Sequence, residues 1–131
     1  MLNQTTLIGR LTHDPEIKVL EGGKKVSEII LAVRRAFKNM DGEYDTDFLR
    51  ITLWEGLAET VTSYMKRGTL VAVNGRLQIR KYDLSEERYL NIIEIVAERV
   101  TYLSTPKERE DKSRLDDESS FWAFFFSISM K

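Results

Sequence analysis

The feature that most constrains the fold is a two-residue alternation of side chains, which is clearest in residues 47–55. Three aliphatic residues, Leu49, Ile51 and Leu53, occupy every second position. The positions between them hold aromatic, cationic or hydroxyl side chains: Phe48, Arg50, Thr52 and Trp54. Because successive side chains of a strand point to opposite faces, the segment predicts a strand with one buried, aliphatic face.

The second face of this strand suits unpaired nucleic-acid bases. Aromatic rings provide surfaces on which bases stack, and a guanidinium group between the rings can bind phosphate. A strand buried on both faces, with Arg50 at its edge, is the alternative, because aromatic residues are enriched in strands in any case. This segment alone leaves both interpretations open.

Two further segments have the same character. Residues 70–82 place four aliphatic side chains on one face: Val71, Val73, Leu77 and Ile79. The other face is polar and basic and ends in a ring: Asn74, Arg76, Gln78, Arg80 and Tyr82, with Lys81 at the end of the strand. Residues 29–38 run from apolar into basic sequence, with Arg34 followed by Phe37 and Lys38. Recurrence in three segments favours a nucleic-acid-binding face over solvated cationic faces with scattered aromatics.

One helix interrupts the strands. Four apolar residues have helical spacing: Leu57, Val61, Tyr64 and Met65. Lys66 and Arg67 are expected in its last turn and Gly68 at its end. Strands are expected at residues 2–12, 17–20, 26–37, 47–55, 70–82 and 89–103, with a turn at residues 83–87. Five principal strands, with the helix between the third and fourth, predict an all-β OB-fold, a five-stranded Greek-key barrel.

Composition narrows the possible functions. The sequence has no cysteine, so disulfides and thiolate metal sites are excluded. His13 is the sole histidine, and no glycine-rich nucleotide-binding motif occurs, so we expect neither an enzyme nor a cofactor or metal. Residues 1–104 carry 15 basic and 15 acidic side chains. A nucleic-acid interface must therefore depend on how charge is arranged and not on net charge.

Targeting features are not expected in this chain. The first residues lack the basic and apolar regions of a signal peptide. No apolar run approaches the roughly 20 residues that a membrane span requires. We therefore expect a cytoplasmic protein without a membrane partner.

Several short motifs resemble those of bacterial-type single-stranded DNA-binding proteins, the SSB family. In order along residues 1–104 they are Leu7–Thr12, Asp14–Glu16, Leu31–Val33, Leu57–Glu59, Lys66–Gly68, Gly75–Leu77 and Arg80–Tyr82. The resemblance implies sequence-independent binding and protection of single-stranded DNA during replication, recombination or repair. It also implies a homotetramer of OB-folds associated with the nucleoid in the cytoplasm.

The resemblance also assigns roles to individual residues. It implies base stacking on four rings: Phe37, Phe48, Trp54 and Tyr82. It implies phosphate contacts from four basic residues: Arg50, Arg67, Arg80 and Lys81. Strand geometry alone adds Arg34, Arg76 and Lys38. Gly56 departs from the family, which commonly has a basic residue at this position.

Residues 1–104 form the expected OB-fold domain, and residues 105–131 are expected to be a charged linker and a flexible, atypical aromatic tail. The family usually ends in an acidic tip that closes in proline and phenylalanine and recruits genome-maintenance proteins. Residues 115–121 have the acids and a phenylalanine but no proline, and an aromatic run continues to Lys131. That run could be a peptide docking on the domain, a membrane-surface anchor, a partner motif or, as we favour, the product of a shifted reading frame. Recruitment of replication or repair proteins through this tail is left open.

Two functions of other classes also fit the sequence. An OB-fold RNA-binding protein would use the same rings and cations. An interaction module of a replication or primosome-type assembly would turn the aromatic face toward protein. Salt dependence and comparison of DNA with RNA separate these from single-stranded DNA binding.

Overall fold

The computed structural model describes residues 1–106, so the predicted tail lies almost entirely outside the described residues. Six strands and one helix follow in this order: β1 Thr5–Leu11, β2 Lys18–Val19, β3 Lys25–Lys38, β4 Tyr44–Trp54, α1 Glu55–Tyr64, β5 Leu70–Ser85 and β6 Arg88–Ser104. The two-residue β2 is a short addition beside β3. The other five strands are the principal strands that the sequence predicts.

The five principal strands close into a barrel. Hydrogen-bonded neighbours follow the order β1-β5-β6-β4-β3, and β3 pairs again with β1. The barrel closes at Arg10 of β1, which pairs with Leu70 on β5 and with Ala32 on β3. The β4–β6 pairing is parallel, whereas the others are antiparallel. This topology, with α1 between the third and fourth principal strands, confirms the predicted OB-fold.

Two strand glycines allow the barrel to close tightly. A Cβ atom at Gly9 would lie 2.3 Å from the carbonyl oxygen of Ala32, where β1 passes from β5 to β3. A Cβ atom at Gly75 would lie 2.4 Å from the carbonyl oxygen of Val96, next to a shift in the β5–β6 register. Both positions require glycine because neighbouring backbone fills the space of a side chain.

The core consists of the inward faces of the barrel strands, closed by the apolar side of α1. Ile51 and Leu53 are fully buried, and Leu49 is partly buried, as the alternation in β4 predicts. Further fully buried aliphatic residues of this core include Ile29, Leu31, Val61, Val71 and Val73. Burial of aliphatic groups of this size contributes roughly 1.5–3 kcal/mol each.

The prediction for the second half of β5 is wrong in one respect. Leu77 and Ile79 share a face with buried Val71 and Val73 by alternation, yet they are 44% and 56% exposed. The reason is that β5 pairs with β1 only as far as Gly75, after which β5 and β6 continue into a two-stranded ribbon that leaves these side chains open. The connecting turn is correspondingly only residues 86–87 and not 83–87.

The end of α1 also differs from the prediction. The helix stops at Tyr64, so Lys66 and Arg67 lie after it and not in its last turn. Side chains outside the helix accept hydrogen bonds from the backbone here. The backbone N–H of Lys66 donates to Thr69 Oγ1 (3.1 Å), and that of Arg67 donates to Asp14 Oδ1 (2.8 Å). At the other end, Glu55 starts the helix with a φ of 51°, and does not end the preceding strand.

Candidate nucleic-acid interface

An open groove of about 720 Å³ crosses the outer surface of the barrel. Trp54 of β4, Arg80 of β5 and Glu94 of β6 line it. His13 and Lys18, from the segment between β1 and β3, border it on the other side. Apolar, cationic and anionic side chains therefore meet in one concave surface of the size that holds an extended ligand.

The strand β4 places its predicted second face outward. Phe48 lies opposite Ala32, Arg50 opposite Ile30 and Trp54 opposite Val26, in an unbroken antiparallel register. Phe48 is 65% exposed, whereas Trp54 is partly buried in the groove. The row thus begins at the exposed ring of Phe48, on the arm that β3 and β4 form, and ends at the partly buried ring of Trp54 in the groove. Thr52 lies within the row but is buried.

The end of the β3–β4 arm holds three more of the predicted residues. Phe37 is 83% exposed and lies in a register irregularity between Arg34 and Lys38. The Arg34 guanidinium lies 3.9 Å and the Lys38 ammonium 5.8 Å from the centre of the Tyr44 ring. The sequence analysis did not select Tyr44, although it continues the alternating series back from Phe48. A ring held under two cations is a suitable place for a base or a phosphate.

Arg80 is held by hydrogen bonds at the centre of the interface. Its Nη1 donates to Tyr82 Oη at 3.3 Å, and its Nη2 donates to the carboxylate of Glu94. Gln78 also donates to Glu94, and Thr52 Oγ1 donates to Glu94 Oε2 at 3.5 Å. Hydrogen bonding to Tyr82 and the charge of Glu94 raise the pKa of Arg80 above its ordinary value. Three residues, from β4 and β5, therefore donate hydrogen bonds to one carboxylate on β6.

Three of the predicted phosphate-binding arginines are paired with glutamates that the sequence analysis did not select. Arg50 Nη1 lies 3.6 Å from Glu28 Oε1, and Arg76 Nη1 lies 3.6 Å from Glu98 Oε2. Arg80 pairs with Glu94 in the same way. Each glutamate comes from a neighbouring strand, so sequence spacing gave no direct signal. Glu94 and Glu98 are the only acidic residues of β6, and this was the one local signal; Glu28 on β3 had none.

Two predicted residues lie apart from this cluster. Lys81 follows Arg80 and therefore points to the other face of the ribbon, where its ammonium lies 4.8 Å from the centre of the Tyr89 ring. Arg67 is exposed after α1, and its backbone is tied to Asp14, next to groove-lining His13. The structure therefore brings Trp54 and Arg80 together in the groove, and Arg50, Arg80 and Tyr82 together in a smaller pocket, and it leaves Lys81 outside both.

Within residues 1–106 no three His, Cys, Asp or Glu side chains converge as metal ligands would. Among the same residues there is no helix with the length and apolar character needed to cross a membrane.

Comparison with known proteins identifies the family. Residues 2–103 match the model of the single-strand binding protein family. The single-stranded DNA-binding protein of Halalkalibacterium halodurans is 44% identical over 103 residues, which are 79% of this chain and 61% of that protein. Single-stranded DNA-binding protein 1 of Staphylococcus aureus is 40% identical over 114 residues (87% and 72%). Single-stranded DNA-binding protein B of Bacillus subtilis is 41% identical over 110 residues (84% and 96%). The match thus spans less than two thirds of the first of these relatives.

Proposed function

The chain belongs to the single-strand binding protein family, and we propose that it binds and protects single-stranded DNA without sequence preference during replication, recombination or repair. The observation that carries this proposal is the outward row of β4, which runs from exposed Phe48 past Arg50 to Trp54 in the groove. Rings alternating with a cation along one face provide both stacking surfaces and phosphate contacts.

In the proposed complex a single strand lies across the outer face of the barrel. Its bases stack on Phe37, Phe48, Trp54 and Tyr82, each stack contributing roughly 1–3 kcal/mol. Duplex DNA is excluded, because its bases already stack on one another. No step of this mechanism makes or breaks a covalent bond, so the proposed function is not enzymatic and requires no cofactor.

The phosphates follow the basic residues that flank these rings. Arg50 and Arg80 are central because they line a second, smaller pocket together with Tyr82. Arg34 and Lys38 extend the path along the β3–β4 arm, with Tyr44 as an added ring. Outer contacts are proposed for the remaining predicted cations: Arg67, Arg76 and Lys81.

We also propose that the protein works as a homotetramer in the cytoplasm, on the nucleoid. Support for self-association comes from the β5–β6 ribbon, where Leu77, Ile79 and Ile93 are 44%, 56% and 66% exposed. Ile79 and Ile93 are direct cross-strand neighbours. An exposed aliphatic patch of this kind is typical of a protein–protein contact.

Intrinsic tryptophan fluorescence tests the binding proposal. The chain has two tryptophans, so a Trp122→Phe background leaves Trp54 as the sole reporter. We expect saturable quenching by oligothymidine, relief of quenching at high salt, and no quenching by duplex of equal length. Equal or stronger binding of a matched RNA strand would favour the RNA-binding alternative. A folded protein that shows no quenching and no salt-dependent binding would favour the protein interaction module.

A further inference from the structure

Glu94 is the least exposed charged group among the ion pairs of the described residues. Its side chain is 13% exposed, whereas the glutamates paired with Arg50 and Arg76 are 52% and 54% exposed. Glu94 receives hydrogen bonds from Gln78, Arg80 and Thr52. A carboxylate with three donors on two neighbouring strands is costly to displace.

The position of Glu94 matters because it lies on the proposed DNA path. It lines both the main groove and the smaller pocket that contains Arg50, Arg80 and Tyr82. A phosphate that approaches Arg80 therefore also approaches a fixed negative charge. The exposed partners Glu28 and Glu98 can rotate into solvent when a phosphate takes their arginines, and Glu94 cannot do so without losing its hydrogen bonds.

We propose that Glu94 sets the affinity for single-stranded DNA, by holding Arg80 in place while cancelling its charge. The inference rests on the proposed function and adds to it a residue that weakens binding. The Arg80–Glu94 pair presents no net charge to the strand, so DNA is held there by stacking and hydrogen bonds and stays exchangeable. Glu94 is thus a positioning residue that also repels the ligand.

A charge cycle in the full-length protein tests this role. The variants are Glu94→Gln, Arg80→Gln and the double variant, and binding of labelled oligothymidine is measured by fluorescence anisotropy at several salt concentrations. We expect Glu94→Gln to bind about fivefold more tightly at low salt, the effect of one unit charge a few ångströms away in water. Its salt slope should steepen by up to about 0.7, the value for one phosphate on a single strand.

The other variants separate charge from orientation. Arg80→Gln leaves Glu94 uncompensated and should bind more than about fivefold more weakly than wild type. The double variant restores a neutral pair and should return to within about twofold of wild type. Glu98→Gln is the matched control beside Arg76, and should change affinity by less than about twofold because both side chains are exposed and Glu98 lines neither the groove nor the smaller pocket.

Three results would overturn the inference. The first is that Glu94→Gln binds no more tightly than wild type. The second is that the double variant is as weak as Arg80→Gln, which would show that Glu94 only orients Arg80. The third applies if Glu94→Gln does not fold by circular dichroism, and is that Arg80→Gln loses no more affinity than Arg50→Gln. Wild-type protein that fails to bind oligothymidine would instead refute the proposed function itself.

Discussion

The barrel differs in burial from its two arms, which are the β3–β4 arm and the β5–β6 ribbon. In the barrel, Leu31, Ile51 and Val73 have no exposed surface, and glycines stand where backbone approaches backbone. In the arms, Phe37 is 83% and Ile93 66% exposed, although both are strongly apolar. A folded chain gains nothing from exposing such side chains to water. The comparison shows that the buried core lies in the barrel, whereas the arms expose the apolar surface to which we assign the proposed DNA and subunit contacts.

The largest expected effect is a loss of stability in the barrel. Gly9→Ala would place a Cβ atom 2.3 Å from the Ala32 carbonyl oxygen, which belongs to rigid backbone. We expect the free energy of unfolding to fall by about 3 kcal/mol, measured by thermal and chemical denaturation. Gly56→Ala in α1 is the control, because its Cβ atom meets nothing within 4 Å and the change should be neutral or stabilising. Equal stability of the two variants would contradict the close approach in the barrel.

The next effect separates binding from folding in the β3–β4 arm. Phe48→Ala removes an exposed ring, so we expect the free energy of DNA binding to weaken by roughly 1–3 kcal/mol with little change in Tm. Tyr64→Ala removes a ring that is 78% exposed on α1 and should leave binding unchanged. The Phe48→Ala/Trp54→Ala double variant should bind still more weakly and remain folded. Global unfolding of that variant would show that these rings belong to the barrel core.

Substitutions in the β5–β6 ribbon should change the oligomeric state of the protein and not the stability of its fold. Ile93→Ser removes an exposed aliphatic group from the face that we assign to self-association, and we expect a lower mass by analytical ultracentrifugation. A buried aliphatic side chain contributes about 1.5 kcal/mol or more to such a contact. The control is Val19→Ser on β2, where the side chain is 66% exposed, and this variant should leave the mass unchanged. An unchanged mass for Ile93→Ser would remove this face from the proposed interface.

The smallest expected effect is a pH dependence of the β3–β4 arm. Arg35 donates two hydrogen bonds to Asp47, each 3.0 Å, and this contact lowers the pKa of Asp47 below its ordinary value of 3.8. A depressed pKa means that the pair stabilises the fold above the unfolded-state pKa and that this contribution is lost as pH falls through the folded-state pKa. Asp47→Asn should therefore flatten the acid limb of the Tm–pH profile slightly. An identical acid limb would show that this exposed pair contributes nothing measurable.

The sequence by itself determined those features that depend on neighbours a few residues apart. Alternation in residues 48–54 separated the aliphatic face of β4 from its aromatic and basic face, and the structure has that arrangement. The helical stripe placed one helix between the third and fourth principal strands. These patterns are local because side chains repeat with the geometry of their own element. The DNA-contact residues that the same patterns name remain predictions for the experiments above.

Only the tertiary structure decided which groups from different strands meet. Arg80 and Glu94 come together because the β5–β6 register places Glu94 opposite Gln78, on the same face as Arg80, and Tyr44 reaches Arg34 across an irregularity in the β3–β4 pairing. The exposure of Ile79 depends on where the ribbon leaves the barrel, since an identical alternation is buried at Val73. Register and burial are properties of the whole sheet, because the pairings that close the barrel, β1 with β5 and β4 with β6, join segments far apart along the chain.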